Sequence, residues 1–149
     1  MDITSPEMRE VVEAVSALHR GETSHGRALL LSLWSKLPPS GERLQACVIA
    51  HFLADTEAEV ADELEWDLRA LEAATGVREA EGGLATPIVP ETFLASLYLN
   101  AGDAYRRGGD WMRAQQHALQ ALRWSGSLPD GGYGATVAAA AQRLWERLE

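Results

Sequence analysis

The sequence contains one cysteine, Cys47, and one lysine, Lys36, in 149 residues. A lone cysteine excludes an internal disulfide and makes a reducing compartment the natural expectation. Positive charge is scarce as well: 13 basic residues face 22 acidic ones, for a net charge of −9. Such a chain lacks the clustered Lys and Arg that phosphate contacts need, so neither nucleic acid nor an anionic membrane surface is expected as a partner. Long apolar runs are missing too. The longest, around Ala28 to Trp34 and Val137 to Ala141, fall far short of the ~20 residues that span a bilayer. The N-terminus, Met1-Asp2-Ile3-Thr4-Ser5-Pro6-Glu7, has no basic start followed by an apolar stretch, so no export leader is read there and a cytoplasmic location is expected.

What is present is ordinary for a globular protein: 46% hydrophobic and 23% charged residues. The length suits a single domain over residues 1–149, able to bury about 70% of the surface its unfolded chain exposes. The acidity is concentrated. Residues 55–81 hold ten acids against two bases, Arg69 and Arg78, so any electrostatic role is to be sought there.

Hydrophobic periodicity predicts an all-α chain of seven helices. The first spans about Pro6 to His19, with Ser5 as cap, Val11, Val12, Val15 and Leu18 at helical spacing, and Gly21 as its end. A second, about Ser24 to Leu37, uses Ala28, Leu31, Leu33 and Trp34 and stops at Pro38-Pro39. The third, about Gly41 to Ala54 with Ser40 as cap, is apolar on most sides. The fourth opens with the capping box Thr56-x-x-Glu59 and continues to about Thr75. Its expected stripe is Val60, Leu64, Leu68 and Leu71, and Gly76 closes it. A long loop over 77–89 follows. The fifth runs from about Pro90 to Arg107. Gly108-Gly109 makes a turn, and Asp110 caps the sixth, which reaches about Ser125. After the connector 126–134, the seventh covers about Ala135 to Leu148. Short connectors imply antiparallel neighbours, pairing helices one with two, three with four, and five with six. A solitary last helix is the usual cover for the end of a stacked array.

Residues 97–122 read LYLNAGDAYRRGGDWMRAQQHALQAL. Tyr98, Asn100-Ala101-Gly102, Ala104-Tyr105, Gly109-Asp110-Trp111 and then Ala114, Ala118, Ala121 and Leu122 resemble a tetratricopeptide (TPR) repeat. Gly102 and Ala114 lack bulk and let two helices cross closely, with Tyr105 and Trp111 filling space around the crossing. In the first hairpin Ala28 takes the small-residue place and Pro39 the terminator's. The resemblance implies a right-handed α-α superhelix of antiparallel hairpins with a C-terminal capping helix. It also implies a concave wall holding Ser96, Leu99, Asn100, Asp103, Arg106 and Arg107.

An amide such as Asn100 both donates to and accepts from an extended chain, as peptide capture requires, and Arg106 and Arg107 suit an acidic group. The expected function is therefore non-catalytic binding of another protein or peptide. Neighbouring hairpins lack the bases of a full carboxylate clamp. Glu59, Asp62, Glu63 and Asp67, with Glu65, read first as a solvated face and second as a docking strip for a basic partner or divalent cation. Trp66 lies among them, off the leucine stripe. Asp55-x-Glu57-x-Glu59 is superficially like a calcium loop but lacks its glycine and places Trp66 where a bidentate Glu belongs. Cys47, His51 and Asp55 share a helix face, yet three ligands on one helix with no second supplier read better as a buried thiol and a hydrogen-bonded imidazole. No nucleophile elbow or phosphate loop is present, and no cofactor or metal is expected. The alternatives are a helical enzyme or metal protein using the acids and His51, or a homodimer formed through loop 77–89 or the last helix.

Overall fold

The computed structural model describes residues 6–38, 43–81, 91–126 and 132–149. Seven α-helices and no strand are formed among them: α1 (Pro6–His19), α2 (Thr23–Ser35), α3 (Arg43–Ala54), α4 (Val60–Glu81), α5 (Glu91–Arg107), α6 (Trp111–Ser125) and α7 (Gly132–Leu148). No described helix is long and apolar enough to cross a membrane. The expected caps at Ser5 and Ser40, and residues 82–89 of the expected loop, lie outside the described residues.

Most helix ends follow local chemistry. Pro6 opens α1, where its missing N–H costs nothing and its fixed φ suits a first turn. Asp110 caps α6: Oδ1 accepts from the Arg113 backbone N–H at 3.1 Å and Oδ2 from the Arg113 guanidinium at 2.7 Å. Three expectations are corrected. The capping box at Thr56 does not form, because the Thr56 hydroxyl donates instead to the Leu53 carbonyl at 2.7 Å, and α4 begins only at Val60. Gly76 does not end α4, which continues to Glu81. A helical glycine costs only about 1 kcal/mol relative to Ala and terminates nothing unless its φ turns positive. Finally, α7 begins at Gly132, three residues before the expected start.

The chain forms two compact units, Met1–Ala73 and Ala74–Glu149. In the first, α2 packs antiparallel on α1, and α3 packs on α2 and more lightly on α1. Leu30, Cys47, Ile49 and Leu53 are fully buried there. In the second, α5 and α6 form the most extensive helix pair and α7 packs against both. Ala114, Ala118, Leu144 and Leu148 make its core, with Leu99, Tyr105 and Trp145 against it.

Both units contain the same hairpin, displaced by 88 residues. Gly21 and Gly109 take φ of +83° and +87°, a left-handed conformation only glycine adopts without strain. The next residue reaches back to close each helix: Glu22 N–H to the Ala17 carbonyl and Asp110 N–H to the Tyr105 carbonyl, both at 2.9 Å. Gly21 N–H to Leu18 and Gly109 N–H to Arg106 complete the pattern, both at 3.0 Å. Five residues after each turn glycine comes the crossing. A Cβ on Gly26 would lie 3.0 Å from the Ala14 carbonyl, and one on Gly102 would lie 3.5 Å from the Ala114 carbonyl and 3.3 Å from the His117 Cβ. The crossing pairs Ala14/Gly26 and Gly102/Ala114 share a spacing of twelve, with glycine and alanine exchanged between helices. Gly26, and not Ala28, is thus the small crossing residue of the first hairpin, and Ala28 is exposed.

The buried stripes of the first hairpin are rotated from those expected. In α1 the inward residues are Met8, Val11, Ala14 and Ala17, with Val12 exposed; in α2 they are Gly26, Leu30 and Leu33, with Leu31 at the surface. Alanine and glycine occupy the closest approach, so the larger apolar residues flank the contact instead of filling it.

Candidate interaction surface and neighbouring clusters

The residues expected on a binding wall all lie on α5, and the structure divides them. Ser96 is buried and its hydroxyl donates to the Phe93 carbonyl at 2.7 Å, so it offers no polar group to a ligand. Leu99 is half-buried against the α6–α7 core. Asp103 joins two of the others. Its Oδ1 accepts from Arg106 Nε and Nη2 at 3.2 and 2.9 Å, and its Oδ2 from Arg107 Nε at 2.9 Å. Burial alone would raise the Asp103 carboxyl, but the hydrogen bonds from the two guanidinium groups outweigh it and hold it below the usual carboxylate range. The Arg pair is thereby oriented and partly neutralised. Asn100 is half-buried, and its amide makes no hydrogen bond among the described residues. On an α-helix, Leu99, Asn100, Asp103, Arg106 and Arg107 fall in one sector at i, i+3 and i+4 spacing.

The acidic strip on α4 is shorter than expected. Glu59 and Asp62 are exposed and Glu63 is half-buried. Asp67, however, is only 4% exposed and faces inward. It is the neighbour of Trp66, which is also buried at 8% exposure. The inward side of α4 is Trp66, Asp67, Ala70, Leu71 and Ala74, while Val60, Leu64 and Leu68 are half-buried. Large aromatic area outweighs a leucine stripe in deciding which side turns in.

Trp66 is the centre of a cluster that the sequence does not announce. Its indole N–H donates to Glu57 Oε1 at 3.0 Å, and the same oxygen accepts from Arg27 Nη1 at 2.7 Å. Arg27 also donates to the Thr56 hydroxyl at 2.7 Å. Trp34 meets Trp66 edge to face, with ring centres 5.1 Å apart. The Arg69 guanidinium lies 4.5 Å from the Trp66 ring centre and pairs with Glu65 at 3.0 Å. Arg27 on α2, the α3–α4 turn and α4 are thus tied through one carboxylate. The hydrogen bond from Arg27 holds the Glu57 carboxyl below the usual range, helped by the one from Trp66 and opposed by burial. Glu57 was legible only as a member of a failed calcium pattern, because its partners Arg27 and Trp66 belong to other helices.

Cys47 and His51 do not form a metal site with Asp55. Cys47 is fully buried, and burial pushes its thiol up to about 12. Burial lowers the His51 pKa, with nearby Asp55 opposing, and its ring packs on Phe52 at 4.9 Å. Among the described residues, no group of three or more His, Cys, Asp or Glu is placed to hold a metal ion.

On α6, Trp111, Trp124 and His117 each meet other groups. Trp111 does not fill the hairpin crossing. It is 47% exposed, and its indole N–H donates to the Leu148 carbonyl at 3.0 Å beside Gln115 Nε2 at 2.9 Å. Those two donors satisfy a carbonyl that the end of α7 leaves unpaired. At the other end, Trp124 is approached by Arg78 at 5.0 Å and Arg123 at 5.6 Å. His117 stands between the Tyr98 and Tyr105 rings, at 5.9 and 5.0 Å. Its Nδ1 is 2.8 Å from the Arg113 carbonyl; a carbonyl only accepts, so Nδ1 carries the proton. Comparison with family models, with curated proteins and with solved structures finds no match for this chain.

Proposed function

We propose that this protein is a non-catalytic interaction module that captures a peptide or protein segment on the outward sector of α5. The observation that carries the reading is the hairpin built twice in one register, from the turn glycine to the glycine–alanine crossing. Repeated hairpins of this kind present surface and no chemistry of their own. The finer fold reading, a TPR-like right-handed superhelix of hairpins, belongs to the same proposal.

Asn100 is the group of that sector best suited to a main-chain ligand, since its amide makes no hydrogen bond among the described residues. Arg106, held by Asp103 beside Arg107, offers its remaining N–H edge to a carboxylate or carbonyl of the bound chain. Ser96 is left out of the proposed contact set. The test is a pull-down from the native host with the wild-type chain and with Asn100→Ala plus Arg106→Ala. Loss of specific partners from the variant supports the assignment. Recovery of the same partners in the same amounts removes α5 as the binding face.

A further inference from the structure

We propose that the outer face of α6 docks an acidic amphipathic helix of a partner protein, whose apolar side chains lie on Met112 and Leu119 and whose carboxylate meets Arg123. Met112, Gln116, Leu119 and Arg123 recur at i, i+4, i+7 and i+11, so they form one continuous stripe. All four are exposed, the two apolar members at 64% and 51%. The opposite side of α6 is turned into the fold through Ala114, Ala118 and Ala121. Among the described residues the stripe is therefore an unpartnered helix face and not part of the core.

Charge decides what fits it. The chain carries −9 overall, yet the sequence of α6, WMRAQQHALQALRWS, contains no acid. Its first arginine, Arg113, is already bound by Asp110 at 2.7 Å. Arg123 pairs with no carboxylate among the described residues. It lies over the Trp124 ring, which Arg78 also approaches. An aromatic face steadies a guanidinium while leaving its N–H edge open to a carboxylate. An apolar row ending in such a cation matches a helix with leucine-like residues on one face and acids beside them. Two copies of α6 paired about a two-fold axis would bring no acid to either Arg123, which disfavours a second copy.

The inference rests on the interaction-module reading but uses a different helix, so the two fail separately. The probes are two labelled synthetic helices with the same leucine stripe, one flanked by glutamates and one by lysines, titrated into the full chain by fluorescence anisotropy. The glutamate helix is expected to bind saturably and the lysine helix at least tenfold more weakly, about the effect of one well-placed charge contact with its repulsive counterpart. Leu119→Ser weakens the glutamate helix by about tenfold through lost apolar burial. Arg123→Glu weakens it and strengthens the lysine helix. All these positions are exposed, and circular dichroism checks that the variants remain folded. Equal binding of both helices, no saturable binding of either, or affinities unmoved by Leu119→Ser and Arg123→Glu overturn the proposal. So does light scattering that reveals a dimer dissolved by Leu119→Ser. Binding abolished by Asn100→Ala plus Arg106→Ala but untouched by the α6 variants removes the α6 face and leaves the α5 reading standing.

Discussion

Gly26 of α2 lies so close to Ala14 of α1 that a Cβ added to it would sit 3.0 Å from the Ala14 carbonyl oxygen, and 2.6 Å from the Leu18 side chain. The matching contact in the second hairpin is looser: a Cβ added to Gly102 would meet the Leu144 side chain at 3.0 Å and the Ala114 carbonyl at 3.5 Å. Gly26→Ala is therefore expected to cost about 2 kcal/mol or more, because backbone must move as well as a leucine. Gly102→Ala should stay within about 1 kcal/mol of wild type, since better helix propensity offsets the squeeze. Urea denaturation of the two variants checks the order; equal losses, or a larger one at Gly102, would show that the crossing geometry is misassigned.

Glu57 should make stability depend on acid. Its carboxyl is held below its ordinary value in the folded chain by Arg27 and Trp66. A depressed folded pKa contributes stability that is fully present above the unfolded value of about 4.3 and fades as pH falls through the folded one. Thermal melts of wild type should thus drop below pH ~4, whereas Glu57→Gln should lower Tm at neutral pH and flatten that acid limb. The substitution keeps the shape but breaks a charge-assisted pair, a loss of about 2 kcal/mol. A variant that melts like wild type at pH 7 would deny the cluster any role in stability.

Cys47 is expected to resist thiol reagents. Its thiol is buried and pushed up to about 12, so almost no thiolate exists near neutral pH and reagent cannot reach it. Labelling in native buffer should proceed at the rate of opening, and rapidly in denaturant. Stoichiometric labelling of the folded protein within seconds would contradict the placement of α3.

Asp103 separates binding from folding on α5. Its two ion pairs are half-exposed, with Asp103 at 37% and Arg106 at 24%, so Asp103→Asn should cost no more than about 1 kcal/mol after solvent screening. It also releases the positive charge of Arg106 and Arg107. If the α5 sector grips an acidic segment, the variant should bind its partner more tightly at low salt. Weaker binding would point to Asp103 itself as a contact for a basic group.

Much of the helical architecture was legible. The seven helices follow from periodicity, and the Asp110 cap, the Gly21 and Gly109 turns and the Gly102/Ala114 crossing follow from residues adjacent in sequence. The first hairpin carried the same signal, with Ala14, Gly21 and Gly26 spaced like Gly102, Gly109 and Ala114, but the exchange of alanine and glycine hid it. The α5 sector was legible as a face, though not the burial of Ser96, because serine is compatible with either side of a helix. The Glu57 cluster was not legible, since Arg27, Trp34 and Trp66 come together only when three elements meet.

Sequence alone determined how many helices form and where α1 and α5 turn back, because glycine conformation, the Asp110 cap and the 3.6-residue period act within a few residues of one another. It also determined the excess of negative charge and its concentration in 55–81. Tertiary structure decided which side of α1, α2 and α4 turns inward. That choice rotated the stripes of α1 and α2 and buried Trp66 and Asp67. The physical reason is that a face rich in alanine and glycine has little hydrophobic area to mark it. Close approach of backbones, which only the folded chain brings together, is what makes such a face the preferred one to bury.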